Sequence, residues 1–178
     1  MGTLAQPPHS RADVAFMQGM IAHHEQALAM TALVRDRTSR RDVLLLALRI
    51  ELSQQDEINL MKSWLRQRSE PVPGEGGSSN HADHADHGIG HGGEHLMPGM
   101  LTRAEMTALA AVRGAEFDKR FLAGMIKHHE GAVTMVAELF ASVGGGQQSD
   151  IYQFASDVDA DQQMEITRMQ AMLAARPE

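Results

Sequence analysis

Cysteine is absent from the 178 residues of this chain, so disulfide bonds and thiolate metal ligands are both excluded. Aromatic residues make up only 4%, and the sequence is poor in the β-branched and aromatic runs that favour strands. No apolar run approaches the roughly 20 residues that a membrane-spanning helix needs, so we expect no membrane insertion. Basic residues are fewer than acidic residues, and the resulting net charge of −7 argues against a protein that binds nucleic acid.

The residues that are present favour helices. Hydrophobic residues account for 43% of the chain, and 13 of them are methionines. A core rich in alanine, leucine and methionine favours helix, and the length fits one compact domain or two small repeats that share a core. Metal binding by methionine and histidine without cysteine suits an oxidising compartment. We therefore expect a periplasmic or secreted location, with the signal peptide absent from this form of the chain.

An internal repeat is the most informative feature of the sequence. The segment from Phe16 to Met30 returns from Phe121 to Met135, at a constant offset of 105 residues. Both copies contain Gly, Met-Ile-x-His-His-Glu and a closing Met. Residues 54–65 and 162–173 also match, through Gln-Gln-x-Glu-Ile-x-x-Met. Each repeat is therefore predicted to be a helical hairpin that arose by duplication.

Two such hairpins predict an all-α fold, an antiparallel four-helix bundle of the ferritin-like kind. One hairpin leaves an apolar stripe exposed, and two packed together bury it. Candidate N-caps at Ser10 and Thr102 place the helices at about 11–36, 41–66, 102–112, 115–142 and 150–174. The predicted organisation is a first repeat over 11–67, a flexible linker rich in histidine, glycine and proline over 68–101, and a second repeat with a short leading helix over 102–174. The linker composition is not expected to contribute to a core.

The repeated motif places sulfur and nitrogen donors on one face of a helix. Met20 lies one helical turn from both His23 and His24, on a stripe that is otherwise apolar. Thioether and imidazole groups bind soft or borderline metals such as copper. Alternatively, the histidines are hydrogen-bonded inside the core and the methionines only fill space. The candidate ligands are Met17, Met20, His23, His24, Met30, Met61, Met125, His128, His129, Met135 and Met169.

Two carboxylates share the apolar stripes of the second helices. A carboxylate on an apolar face needs a partner, so we expect Glu57 to approach His23 or His24. Glu165 is expected to approach His128 or His129 in the same way. Either the carboxylates share a metal with the imidazoles, or they only orient them.

The linker carries a second group of candidate ligands. Histidine tracts of this kind bind borderline divalent ions such as Cu(II), Zn(II) and Ni(II). The alternative is a solvated spacer. The residues are His81, His84, His87, His91 and His95.

The two Met-Ile-x-His-His-Glu segments, each followed by Glu-Ile-x-x-Met, resemble the bacterial domain-of-unknown-function family numbered 305 over residues 11–67 and 115–174. The resemblance implies a ferritin-like bundle, a secreted or periplasmic location, and copper and silver binding by methionine and histidine. It implicates Met20, His23, His24 and Met30, with Met125, His128, His129 and Met135. Leu122 replaces Met17 in the second copy, so a symmetric Met17 site is not implied. The Glu-x-x-His motif of true ferritins is missing at Glu57 and Glu165, so ferroxidase chemistry is not implied either.

The sequence leaves three functions open. The first is a copper-binding protein that acts in buffering, transport or resistance, with Cu(I) or Ag(I) at the Met/His sites and Cu(II) at the linker. Zinc is a candidate in vitro, and other copper-handling proteins are candidate partners. The second is a ferritin-like metal-dependent oxidoreductase, which is disfavoured because two inward carboxylates replace the usual four. The third is a structural or interaction bundle without metal.

Overall fold

The structure is a computed structural model that describes residues 9–75 and 96–175, and all of the regular structure in these residues is helical. The prediction of an all-α fold is confirmed. Within these residues, no helix is long and apolar enough to cross a membrane. The helices are α1 (Arg11–Ala32), α2 (Arg41–Gln67), α3 (Arg103–Ala111), α4 (Gly114–Ala141) and α5 (Ser149–Ala174), and a 3-10 turn, Val34–Asp36, follows α1.

Two helices begin at the predicted N-caps, and each N-cap forms a capping box. The Ser10 hydroxyl accepts a hydrogen bond from Asp13 N, and the Asp13 carboxylate accepts one from Ser10 N. Thr102 and Glu105 form the same reciprocal pair at α3. These bonds satisfy amide groups that have no partner within the helix. Asp13 is fully buried and also accepts from Gly146 N at 2.8 Å, which ties the start of α1 to the glycine-rich turn before α5.

The four long helices form an antiparallel bundle. α1 packs against α2, α4 packs against α5, and the two hairpins meet through α1 and α4. Long side chains join α2 to α5. Trp64 Nε1 donates to Asp150 Oδ2 at 3.0 Å, and Arg49 Nε lies 3.6 Å from Glu165 Oε1. Because the paired residue numbers run in opposite directions, α2 and α5 are antiparallel.

The apolar core is divided into two clusters, one towards each end of the bundle. Along α1, the first cluster ends at Ile21 and the second begins at Ala27. Along α4, the second cluster ends at Met125 and the first begins at Ala132. His23 and His24 lie between the two clusters on α1, and His128 and His129 lie between them on α4. The middle of the bundle is therefore polar.

The end of the predicted linker packs on the bundle, in contrast to the expectation from its composition. Met97 lies against the first apolar cluster, and Leu101 is buried in the second. The Gln26 side chain holds Leu101 by two bonds, from Nε2 to the Leu101 carbonyl at 2.9 Å and to Oε1 from the Leu101 amide at 2.7 Å. The Gln26 side chain thus pairs with both backbone groups of Leu101, as a neighbouring β-strand would. Such a pair of bonds can fix a segment that lacks regular structure. We call Met97–Leu101 the strap.

Candidate metal centre

A buried polar layer crosses the middle of the bundle. α1 and α4 contribute the two histidine pairs, and α2 and α5 contribute a glutamine and a glutamate each, three residues apart. Seven of these eight residues are buried, and Glu57 is partly exposed. Such a layer replaces apolar packing in the middle of the core, so it carries a cost in stability unless its groups are satisfied. The residues are His23, His24, Gln54, Glu57, His128, His129, Gln162 and Glu165.

The predicted Glu–His contacts are confirmed, one within each repeat. His24 Nε2 lies 2.5 Å from Glu57 Oε2, and His129 Nε2 lies 2.8 Å from Glu165 Oε2. His24 is fully buried, whereas 13% of the Glu57 side chain is exposed. Both pairs join the first helix of a hairpin to the second, so each carboxylate fixes the orientation of its imidazole.

The other two histidines meet where α1 and α4 cross. The rings of His23 and His128 have centroids 3.8 Å apart, and both are fully buried. His128 Nε2 donates to the His23 carbonyl at 2.9 Å, but His23 Nε2 donates to the Pro98 carbonyl at 2.9 Å. Equivalent residues of the two repeats therefore have different partners, because the strap lies on one side of the crossing.

Burial keeps His23 and His128 neutral. It lowers the pKa of His23 to about 4, against the opposing effect of the bond to Pro98. For His128, burial and then the neighbouring His23 lower the pKa well below its ordinary value. A neutral imidazole is the form that binds metals.

All four histidines present the same unpaired atom. Carbonyl and carboxylate oxygens accept hydrogen bonds, so each Nε2 carries the ring proton and each Nδ1 carries the free lone pair. None of the four Nδ1 atoms has a hydrogen-bond partner, and all are buried. Leaving such an atom unpaired costs about 1–3 kcal/mol. Histidines that bind metals through one nitrogen usually donate the other to a carboxylate or a carbonyl, and that is the pattern here.

The candidate methionines flank the polar layer on both sides. Met17, Met20, Met61 and Met135 belong to the first apolar cluster, and Met30, Met125 and Met169 belong to the second. All seven are buried. The side chains of Met30 and Met135 each reach a glycine of the opposite hairpin. Met30 Cε would lie 3.4 Å from a Cβ built on Gly124, and Met135 Cε would lie 3.4 Å from a Cβ built on Gly19. The structure thus places thioethers in both of the apolar clusters that border the histidines.

The two glutamates differ in their charged neighbours. Glu165 pairs with the guanidinium of Arg49, which is half exposed. Asp161, on the outer side of the same layer, has its pKa raised by partial burial and then by the carboxylates of Glu57 and Glu165. A surplus of negative charge therefore lies between α2 and α5, and Arg49 compensates part of it on the Glu165 side.

Two glutamines of the layer were not among the predicted site residues. Gln54 is fully buried and both of its side-chain polar atoms are unpartnered, as is Oε1 of the buried Gln162. A repeated signal for them exists in the sequence, since Gln-x-x-Glu occurs at Gln54 and again at Gln162. Arg49 carried no such signal, because Asp157 stands at the matching position of the second repeat.

Nitrogen and oxygen donors alone do not converge in the described residues. There, no three histidine, aspartate or glutamate side chains are placed to hold one metal ion together. The five linker histidines lie outside the described residues, so their role stays a prediction.

Comparison with known proteins places the chain in a family. The model for the domain of unknown function DUF305 matches residues 13–173. The chain belongs to this family. No curated protein sequence matches it. A DUF305 fragment from Deinococcus radiodurans is 30% identical, with a TM-score of 0.75, and the match covers 94% of this chain and 99% of that one.

Structures of two further proteins are similar to this chain. A DUF305 protein from Streptomyces coelicolor, described as a candidate secreted protein, is 28% identical with a TM-score of 0.73, covering 92% of each chain. The Cu(II)-bound form of CopM is 26% identical with a TM-score of 0.68, covering 91% of this chain and 95% of that one. CopM also has a Cu(I)-bound structure, at 25% identity and a TM-score of 0.65, covering 90% and 94%.

Proposed function

We propose that this DUF305 protein binds copper as a cargo, holding Cu(I) or Ag(I) among the histidines of the polar layer and the methionines that flank it. The observation that carries the proposal is the set of four buried imidazoles with oriented Nε2 atoms and unpaired Nδ1 atoms. Thioethers add soft donors that favour Cu(I) over Zn(II). The copper-bound structures of CopM support this choice of metal.

The cellular role that fits this chemistry is copper buffering, transport or resistance in the periplasm or outside the cell. Cysteine would be oxidised there, whereas methionine and histidine retain their affinity for copper without a thiol. The histidines of the linker, His81 to His95, would add sites for Cu(II). Deletion of residues 80–96 would test that addition separately, by measuring the Cu(II) stoichiometry.

Replacing Met20 and Met125 by leucine tests the site in the bundle. Leucine keeps the volume and the apolar character, so we expect a stability loss under about 1.5 kcal/mol per site. The affinity for Cu(I) should fall about tenfold or more, while that for Zn(II) changes little. Anaerobic titration against a competing Cu(I) chelator measures this. Met106 and Met172, which lie at the second apolar cluster away from the histidines, give a matched double leucine control.

A wild-type protein that takes up no Cu(I) or Ag(I) would contradict the proposal as a whole. The polar layer would then serve only packing. If wild type binds but the Met20/Met125 variant binds equally well, the site is made by the histidines alone.

Arg49 provides a second test, because its positive charge lies close to Glu165. Arg49→Gln should raise the affinity for Cu(I) about fivefold at low salt, since a cation in the layer loses a repulsive neighbour. The gain should shrink as the ionic strength rises. Arg41→Gln, at the far end of α2, changes the net charge equally and serves as the control. Equal gains in both variants would mean that Arg49 acts only through net charge.

A further inference from the structure

The strap is fixed on the bundle by contacts from both repeats. In the first repeat, Gln26 holds Leu101 and His23 holds the Pro98 carbonyl. In the second, Gly131 lets the strap approach closely, because a Cβ there would lie only 1.9 Å from Pro98 O. Gly99 has a φ of +73°, which favours glycine at this point of the strap. The strap therefore has a defined position beside His23.

The strap places a thioether at one of two equivalent positions. Gly19 and Gly124 correspond in the repeat, and each faces the closing methionine of the opposite motif. A Cβ on Gly19 would also lie 3.4 Å from Met97 Sδ, whereas one on Gly124 would lie 3.2 Å from Leu101 Cδ2. The Met97 sulfur and the Met135 ε-methyl group thus both lie against Gly19, whereas a leucine and the Met30 ε-methyl group lie against Gly124.

We propose that Met97 is a ligand of a soft-metal site that it forms with Met135 and His23. The site would take Cu(I) or Ag(I). Gly19 has no side chain, so Met97 and Met135 both approach the same point of α1, and His23 lies one helical turn further along this helix. The His23 ring is tied to Pro98, the neighbour of Met97, and its Nδ1 is buried without a partner. This proposal rests on the proposed function and adds a ligand from outside the repeats.

The strap presents a methionine at Gly19 but a leucine at Gly124, so it forms this site in one repeat and not in the other. At Gly124, Leu101 stands where the strap would need to supply a second sulfur beside Met30. Met97 is partly exposed and Met135 is buried, which places the site at the edge of the core. The strap thus makes two otherwise similar repeats chemically different.

Titration of the full chain with Ag(I) in chloride-free buffer tests the proposal. Met97→Leu should weaken Ag(I) binding about tenfold or more, with thermal unfolding unchanged. Met100→Leu, three residues further along the same strap, is the matched control and should bind as wild type does. Leu101→Met should add affinity by supplying the missing sulfur at Gly124.

A spectroscopic readout separates ligation from packing. In the wild type, Ag(I) should shift the ε-methyl NMR signals of Met97 and Met135 and leave that of Met100 in place. If wild type binds Ag(I) but Met97→Leu binds equally well and the Met97 signal does not move, Met97 is not a ligand and the proposed function stands. If wild type binds no Ag(I), the proposed function itself fails.

Discussion

The metal-free protein is expected to lose roughly 3 kcal/mol of its free energy of unfolding as the pH falls from 6.5 to about 4. Burial holds the pKa of His23 at about 4, while the unfolded chain titrates at the ordinary value of 6.5. Between these values the unfolded state binds more protons than the folded state. The stability contributed by the neutral His23 is therefore fully present above pH 6.5 and is lost through this window. His128 acts in the same direction, because its pKa is also lowered by burial.

Urea unfolding of the metal-free protein across this pH range measures the effect. His23→Gln removes the titrating group, so this variant should show a shallower pH dependence, whatever its stability at neutral pH. His9→Gln is the control, because His9 lies outside the polar layer and is partly exposed against Glu70. An equal pH dependence in wild type and His23→Gln would show that other groups govern acid unfolding.

Much of the fold could be predicted because its determinants are local and repeated. Helix starts depend on a few neighbouring residues, and the capping boxes at Ser10 and Thr102 are where the sequence indicates them. The Glu–His pairs could be predicted because each helix puts its carboxylate or its imidazoles on an apolar stripe. Two polar groups that are buried between the same two helices have few partners other than each other.

The remaining features depend on contacts that neither repeat contains alone. The strap binds through Gln26 in one repeat and Gly131 in the other, and these residues occupy matching positions of the motif with unrelated chemistry. The different partners of His23 and His128 follow from the strap, not from the motif. Gln54 and Gln162 could have been found from their repeated spacing to a glutamate. The strap is therefore held at a position where the two repeats carry different residues. The polar layer is built from residues that the two repeats share.

Gly131→Ala is expected to destabilise the protein by about 2 to 3 kcal/mol, although alanine is the better helix former by about 1 kcal/mol. The new Cβ would lie 1.9 Å from Pro98 O and 2.7 Å from Gly99 Cα. These are backbone atoms, so the strap itself has to move. Its movement removes the carbonyl that accepts from His23, and a buried donor without a partner adds to the cost.

Gly19→Ala is the matched control, since it makes the same change inside α1. There the Cβ would meet only the ends of Met97 and Met135, both at 3.4 Å, which is a contact that flexible side chains can adjust. We expect this variant to match or slightly exceed the wild type in urea unfolding. Equal stabilities for Gly131→Ala and wild type would mean that the strap is not held at Gly131. A destabilised Gly131→Ala should also bind Ag(I) more weakly, because the displaced strap carries Met97 away from Met135. A normal Ag(I) affinity in that variant would instead place the metal site wholly within the four helices.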